Sequence, residues 1–211
     1  MYLPDHFAAD DDAVEELLAN HGAADLVTIT EKGMLATLLP FVFDRHDGPL
    51  GALLGHVARG NEQWRRTTSG EVLVIVRGPD AYVSPSWYPS KLEHGRVVPT
   101  WNYVTAHVYG LVEWHDDVVW VEDLVRRLTA KHEGALDGGQ PWTLDDAPRA
   151  FVEAQLRGIV GARVEITRVE AKVKMSQNRS DADARGVVDG LAARGDVASS
   201  AAVHRANDDR L

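Results

Sequence analysis

The sequence predicts an α+β protein, mainly β, built as a small closed or split β-barrel with peripheral helices. About six or seven segments are rich in β-branched and large apolar residues. Short links join these segments, and short links favour antiparallel neighbours. Helical patterns are inserted at the two ends and in the middle of the chain. Together these observations indicate one barrel sheet with helices packed around it.

The first elements are a helix and a hairpin. Acidic residues at 10–12 favour the start of a helix, and Gly22 ends it. Two apolar strands, 26–30 and 34–43, flank Glu31-Lys32-Gly33, which is typical of a β-hairpin. A turn at Asp47-Gly48-Pro49 then leads into a third strand, 50–57.

The second half of the chain continues the sheet and adds helices. Apolar and polar residues partly alternate over 101–115, which predicts a long strand, and apolar residues at helical spacing predict a helix over 118–132. We expect residues 1–179 to form the barrel domain and residues 180–211 to form a helical tail packed on, or trailing from, the barrel. The remaining predicted elements are a short helix near 58–66, a strand at 72–76, a helix capped by Asp145 or Asp146, and a strand from Val164 to Met175 with a bulge near Thr167.

Composition excludes several functional classes. The formal charge of −10 opposes nonspecific attraction to phosphate backbones, so direct DNA binding is doubtful. Zero cysteine excludes disulfides and thiolate chemistry. The sequence shows neither a long apolar span nor a basic and apolar leader, so we expect a cytoplasmic protein without membrane contact.

Residues 78–103 have the composition of a ligand pocket. Five of the 15 aromatic residues and four of the nine prolines lie there. Polar side chains are interleaved with the rings, which suits a flat ligand that needs stacking and a few hydrogen bonds. The same composition also fits a proline-stiffened loop whose aromatic side chains fill the core. The candidate ligand residues here are Ser84, Trp87, Tyr88, Thr100, Trp101 and Asn102.

Two further segments are rich in hydrogen-bond donors. The segment His56-Val57-Ala58-Arg59-Gly60-Asn61 has the residue types of a phosphate-binding turn, although the segment by itself favours an ordinary turn between a strand and a helix. Residues 172–179 include Lys174, Gln177, Asn178 and Arg179, and a solvated strand edge is the alternative there. Neither segment completes a metal-ligand set, and we predict no metal.

Several separated motifs, in this order, resemble the PaiB-type family of FMN-binding negative transcriptional regulators. The resemblance spans nearly the whole chain. The motifs that carry it are Met1-Tyr2-x-Pro4-x-x-Phe7, His56-x-Ala58-Arg59-x-Asn61-x-Gln63-Trp64, Gly78-Pro79, Tyr82-x-Ser84-Pro85-x-Trp87-Tyr88, Val98-Pro99-Thr100-Trp101-Asn102-Tyr103 and Lys174-x-Ser176-Gln177-Asn178-Arg179.

The resemblance implies an FMN-binding split barrel related to pyridoxamine 5′-phosphate oxidase, working as a homodimer with FMN at the subunit interface. A phosphate needs cationic and N–H donors, and an isoalloxazine ring needs flat apolar contact with donors at its edges. By analogy, the phosphate and ribityl side is assigned to His56, Ala58, Arg59, Asn61, Lys174 and Arg179. The ring side is assigned to Trp87, Tyr88, Thr100, Trp101, Asn102 and Gln177, and backbone contacts are expected from the segment Thr37, Leu38, Leu39 and Pro40.

The expected function is that of a flavin-linked sensor or regulator, and three alternatives stay open at this point. A flavin-dependent oxidoreductase would use the cofactor itself for its chemistry, because no residue is an obvious acid, base or nucleophile. A haem-binding or haem-degrading barrel would use His56 or His107 as an axial ligand. A DNA-binding repressor would require a basic surface.

Overall fold

The computed structural model describes residues 1–66, 69–136 and 138–211. The chain divides into two compact units. Unit 1 comprises Met1–Leu17, Arg77–Ala106 and Glu170–Leu211, and unit 2 comprises Leu18–Val76 and His107–Val169. The boundary between residues 179 and 180 that the sequence suggested is not a boundary of either unit, and the domain assignment stays a prediction.

Six strands form a closed barrel in the order β1-β2-β3-β6-β5-β4. Antiparallel pairs join β1 to β2 and to β4, and join β3 to β2 and to β6. The predicted barrel fold is confirmed. The strands are β1 Ala23–Thr30, β2 Gly33–Asp44, β3 Ala52–Ala58, β4 Val72–Val83, β5 Thr100–His115 and β6 Ile159–Lys174.

The helices accompany the strands at both ends and in the middle of the chain, as the sequence predicted. None of the helices in the described ranges is long and apolar enough to cross a bilayer. The helices are α1 Asp11–Asn20, α2 Ser90–His94, α3 Val118–Glu133, α4 Arg149–Leu156, α5 Asp181–Ala193 and α6 Val197–Arg205. Short 3-10 helices cover Asp5–Phe7, Gln63–Arg65, Pro85–Trp87, Leu144–Asp146 and Asp208–Arg210.

In unit 2, the barrel interior and the face under α3 form the core. Alternation places Leu26 and Thr28 of β1 inside, fully buried, while Val27 and Ile29 point outward. Leu124 and Leu128 of α3 pack onto buried residues of β3. Asp117 caps α3 through a hydrogen bond from Trp120 N to its carboxylate, 2.9 Å, which fixes where the helix begins.

In unit 1, helices α5 and α6 supply much of the core. Val187 and Leu191 of α5 and Val203 of α6 are fully buried against the end of β4. Ser180 and Asp196 cap these two helices, accepting hydrogen bonds from Asp183 N and Ser199 N. The residues that the sequence described as a helical tail thus bury apolar surface within this unit.

Candidate functional site

Three predicted site residues meet in unit 1, where the end of β6 lies beside the start of β5. Lys174 Nζ donates to the hydroxyl of Thr100 at 2.8 Å and to the backbone carbonyl of Trp101 at 2.6 Å. These contacts join residues 74 and 73 positions apart in the sequence. Lys172 lies on the same face of β6, because side chains two residues apart share a face of a strand.

Lys172, Lys174 and Arg179 form a cluster of positive charge, called here the cation cluster. Among residues 1–66, 69–136 and 138–211, no carboxylate forms an ion pair with any of the three. Burial lowers the pKa of Lys174, and the positive charges of Lys172 and Arg179 lower that pKa further. The cluster therefore has positive charge that an anionic ligand would stabilise.

Aromatic rings surround the cation cluster. Lys172 is 6% exposed, and its ammonium donates to Tyr2 O at 3.0 Å and lies 5.5 Å from the ring centre of Tyr103. Lys174 Nζ lies 5.8 Å from the same ring. Cation–π contacts of this kind hold the two ammonium groups of β6 against a ring of β5 without removing their charge.

Trp101, whose backbone carbonyl contacts Lys174, presents a flat apolar surface. Its side chain is 50% exposed, and its ring lies edge-on to that of Tyr82, with centroids 6.3 Å apart. Tyr82 is itself 42% exposed. An exposed indole beside positive charge suits a ligand that combines a flat ring with an anionic group.

Trp87 and Tyr88 have packing roles in unit 1. Tyr88 is 2% exposed and belongs to the apolar core, with the Arg179 guanidinium 4.7 Å from its ring centre. Burial raises the pKa of Tyr88, and the positive charge of the nearby Arg179 opposes that rise. Trp87 packs against α5 at Gly190. Ser84 caps the short turn by accepting a hydrogen bond from Ser86 N at 3.2 Å.

The loop that follows β6 is held by buried polar contacts. Asn102, 1% exposed, donates to Ser176 Oγ at 2.9 Å. Gln177 turns back on the loop, accepting from Met175 N and donating to Val173 O, both at 2.6 Å. Asn102 and Gln177 therefore stabilise the loop, whereas the neighbouring Asn178 is exposed.

The second group of predicted residues lies in unit 2, at the end of β3. Asn61 Nδ2 donates to Thr37 Oγ1 at 2.9 Å, which brings two predicted residues together. Asn61 Oδ1 accepts from Gln63 N, and the buried Gln63 side chain donates to Leu26 O at 3.0 Å. The motif thus ties a turn to the barrel wall. Beyond Thr37, Leu38 and Ala58 are exposed and Pro40 is half-buried.

The guanidinium of Arg59 already donates hydrogen bonds to groups within the protein. Its Nη1 donates to Asp116 Oδ2 at 2.9 Å, its Nη2 also contacts that carboxylate, and its Nε donates to Arg157 O at 2.6 Å. The ion pair raises the pKa of Arg59 and lowers that of Asp116. A cavity of about 220 Å³ lies beside them, lined also by Val118 and Leu156. A phosphate would have to compete with Asp116 for this guanidinium.

His56 has a buried Nδ1 atom for which the described residues provide no hydrogen-bond partner. Burial lowers the pKa of its imidazole, so the ring is favoured in its neutral form. The assignments of His56 and Arg59 to the phosphate, like the other site assignments, stay predictions.

Two residues of these clusters were not among the predicted site residues. The period-two pattern that places Lys172 on the face of Lys174 is visible in the sequence and provided a usable signal. Asp116 lies just beyond the strand predicted over 101–115, and no sequence pattern indicates that it pairs with a residue 57 positions away.

The comparisons with known proteins agree with the motifs. The family model described as "Putative FMN-binding domain" matches residues 1–168. The chain is 35% identical over 195 residues to protease synthase and sporulation protein PAI 2 of Bacillus subtilis, covering 90% of this chain and 89% of that protein. This similarity confirms the resemblance to the PaiB-type family.

Solved structures support the fold. The conserved hypothetical protein Rv2991 of Mycobacterium tuberculosis superposes with a TM-score of 0.56 at 11% identity, covering 82% of this chain and 91% of that one. The flavocytochrome Anf3 of Azotobacter vinelandii gives a TM-score of 0.53 at 12% identity, covering 78% and 67% of the two chains. The family match names FMN, which confirms the predicted cofactor. The chain therefore belongs to the FMN-binding domain family that its motifs and its barrel indicate.

Proposed function

We propose that this protein is an FMN-binding sensor or regulator whose flavin site includes the cation cluster and Trp101 of unit 1. One observation carries the placement of the site. The cation cluster, for which the described residues supply no carboxylate partner, includes Lys174, and Lys174 contacts the backbone carbonyl of the half-exposed Trp101 in a protein whose net charge is −10. Burial disfavours the charged form of Lys174, so this positive charge does not itself stabilise the fold. A bound anion would stabilise the charged form.

The residues of unit 1 fit the chemistry of FMN. The phosphate dianion suits Lys174 and Arg179, with Lys172 contributing to the positive field. The isoalloxazine ring suits the exposed face of Trp101. When bound, FMN supplies electron-transfer chemistry. The chain's own residues bind and orient it: Lys174 lies at the backbone of Trp101, so the charged contact and the flat contact are adjacent.

A regulatory role is the one that we favour over turnover of a substrate. The name of the relative from Bacillus subtilis, protease synthase and sporulation protein PAI 2, includes a cellular process, sporulation. In this chain, the side chains around Trp101 are cations, hydroxyls and aromatic rings, which suit binding better than general acid–base catalysis near neutral pH.

The proposed regulator does not depend on direct DNA contact. Helix α3 has basic side chains, but they are engaged: Arg126 pairs with Glu122 and Asp145, and Arg127 pairs with Asp44. Lys131 donates to Phe41 O at 2.9 Å. Together with the net charge of −10, these ion pairs disfavour direct DNA binding. The proposed regulator would therefore act through a molecule other than DNA.

We also propose that two copies associate through the outward face of the β1–β2 hairpin. Ile29 pairs with Met34 and Val27 with Ala36, so these side chains share the outer face of the barrel. Ile29 is 50% exposed and Met34 is 76% exposed. Adjacent exposed apolar side chains of this kind are typical of a surface that another protein covers. A second copy supplies a matching apolar face by symmetry.

Flavin titration tests the placement of the site. We expect FMN to bind at least about tenfold more tightly than riboflavin, because each charge-assisted hydrogen bond to the phosphate contributes about 1.5–3 kcal/mol. Lys174→Met should remove most of this difference. Flavin fluorescence quenching measures all four affinities.

Lys91→Met is the matched control, because Lys91 is an exposed lysine of α2 in the same unit. It should retain the preference of the wild type for FMN. Equal affinities of the wild-type protein for FMN and riboflavin would contradict the proposed phosphate site.

A further inference from the structure

The loop 175–179, which carries Gln177, Asn178 and Arg179, has an unusual backbone. Ser176 has a φ of 68°, and no other residue except glycine has a positive φ in the described parts of the chain. A side chain disfavours this left-handed conformation, so surrounding contacts must impose it. Asn102 provides one such contact through Ser176 Oγ.

Two residues after α6 bind the carbonyl groups of this loop. Arg210 donates from Nη1 to Arg179 O at 2.7 Å, and from Nη2 to Gln177 O at 3.1 Å and Ser176 O at 3.3 Å. Asn207 Nδ2 donates to Met175 O at 2.9 Å. Side chains of Arg210 and Asn207 therefore donate to four of the five carbonyl groups of a tight loop, and one of these, Ser176 O, also accepts from Arg179 N at 3.0 Å.

The two residues are themselves held in place. Asn207 is 3% exposed, and its Oδ1 accepts from Arg210 Nε at 3.1 Å. Arg210 also forms an ion pair with Asp181, at 3.1 Å, at the start of α5. The guanidinium is a rigid fork of five donors, so it can bind three carbonyls at once. A lysine has the same charge but lacks this geometry.

We propose that Arg210 and Asn207 are positioning residues for flavin phosphate binding: they fix the loop so that Arg179 joins Lys174 in the cation cluster. This inference rests on the proposed function. The positive charge of Arg179 acts on Lys174, so their side chains belong to one electrostatic group. The family model ends at residue 168, so the loop and both positioning residues lie outside the matched region.

The test compares Arg210→Lys, which keeps the charge but not the fork, with the wild type. Hydrogen exchange of the loop amides in the flavin-free protein reports on the loop, and FMN and riboflavin titrations report on the site. We expect faster exchange across 175–179, an FMN affinity lower by at least about tenfold, and an unchanged riboflavin affinity. Arg205→Lys is the control, because Arg205 is exposed and lies on α6.

The outcomes separate this inference from the proposed function. Unchanged hydrogen exchange of the loop in Arg210→Lys would overturn the proposal that Arg210 fixes the loop. Faster exchange with wild-type FMN affinity would overturn the role of Arg210 in flavin binding. Equal loss of FMN and riboflavin affinity also overturns that role, because a general loss of structure would explain it. A wild-type protein that does not prefer FMN to riboflavin contradicts the proposed function before any variant is compared. The urea midpoint of each variant identifies any general unfolding.

Discussion

Trp101 and Trp120 show how one residue type takes different roles at the scale of a single side chain. Trp101 is 50% exposed on unit 1. Trp120, in unit 2, stacks on His115 with centroids 4.1 Å apart and lies against Gly161, where an added Cβ would meet its ring at 2.1 Å. The first ring is available to a ligand, and the second fills space between strand and helix.

Truncating the two rings should therefore affect different properties, FMN binding for Trp101 and stability for Trp120. Trp101→Ala should weaken FMN binding by roughly two- to tenfold, the range for an aromatic contact, with little change in stability. Trp120→Ala should lower the free energy of unfolding by about 3 kcal/mol, through loss of packing, and leave the affinity of the folded protein for FMN unchanged. Flavin titration and urea unfolding of both variants check this. If both variants are folded and bind FMN equally well, Trp101 is not a flavin contact.

His21 is a buried imidazole that should make stability depend on pH. Its Nδ1 lies 2.6 Å from Leu18 O, and its Nε2 is buried with no hydrogen-bond partner in the described part of the chain. Burial, and then the positive charges of Lys131 and His132, lower its pKa from 6.5 to about 4.

The sign of the effect follows from proton linkage. Between the pKa of about 4 in the folded state and 6.5 in the unfolded chain, the unfolded chain binds more protons. Acidification through this window should therefore lower the free energy of unfolding, by up to on the order of 3 kcal/mol. Urea unfolding across the window measures it. His21→Gln should flatten this dependence, whereas His46→Gln, at an exposed site, should keep it; identical pH profiles for all three proteins would refute the assignment.

At the scale of elements, the sequence predicted the segments with a regular apolar period, but it did not predict the strand ends at which glycine allows close packing. The hairpin at 26–43 and helix α3 were predicted within a few residues, because their apolar periods are regular. Strand β6 begins at Ile159, before the predicted start at 164, because Gly161 leaves room for the Trp120 ring. Strand β4 continues past Val76, since Gly78 allows the close approach of Val104. Glycines that serve packing resemble turn signals in the sequence.

Helix α5 depends on the same kind of contact. A Cβ at Gly190 would meet the Trp87 indole at 2.3 Å, and a Cβ at Gly186 would meet Trp87 O at 2.0 Å. Glycine weakens a helix on intrinsic grounds, so its presence here reflects the close approach of Trp87.

Gly190→Ala should therefore destabilise the protein although alanine favours helices. The clash should cost about 1–3 kcal/mol, of which the gain in helix propensity offsets at most about 1 kcal/mol. Urea unfolding measures the difference. Gly22→Ala is the control, because no atom lies within 4 Å of its added Cβ. A Gly190→Ala protein at least as stable as the wild type would show that α5 does not pack closely on Trp87.

At the scale of the whole molecule, the sequence indicated the segments of the site but not which side chains the fold satisfies internally. Lys174, Thr100 and Trp101 were predicted from their motifs, and the structure joins them. Arg59 was predicted for the same ligand, but its pairing with Asp116 depends on how β3 and β5 lie in the barrel. Long-range pairing of this kind leaves no local signal in a sequence.

Dimer formation through the outward face of the β1–β2 hairpin can be tested by its coupling to FMN binding. A ligand that both copies contact binds the dimer more tightly than the monomer, so it stabilises the dimer by mass action. The resemblance that placed FMN between subunits therefore predicts that FMN lowers the concentration at which monomers appear. Sedimentation over a dilution series, with and without FMN, measures this shift.

The variants for this experiment separate the dimer face from a general effect of added charge. Met34→Asp places a charge on the proposed apolar face and should raise the dimer dissociation constant by at least about tenfold, because burying an unpaired carboxylate costs several kcal/mol. Val119→Asp adds the same charge at a 73% exposed position in the first turn of α3, where a carboxylate is favourable, and should leave the dimer intact. FMN affinity should fall in Met34→Asp at protein concentrations where it is monomeric. A monomeric Met34→Asp protein that binds FMN with wild-type affinity would mean that one copy holds the flavin alone.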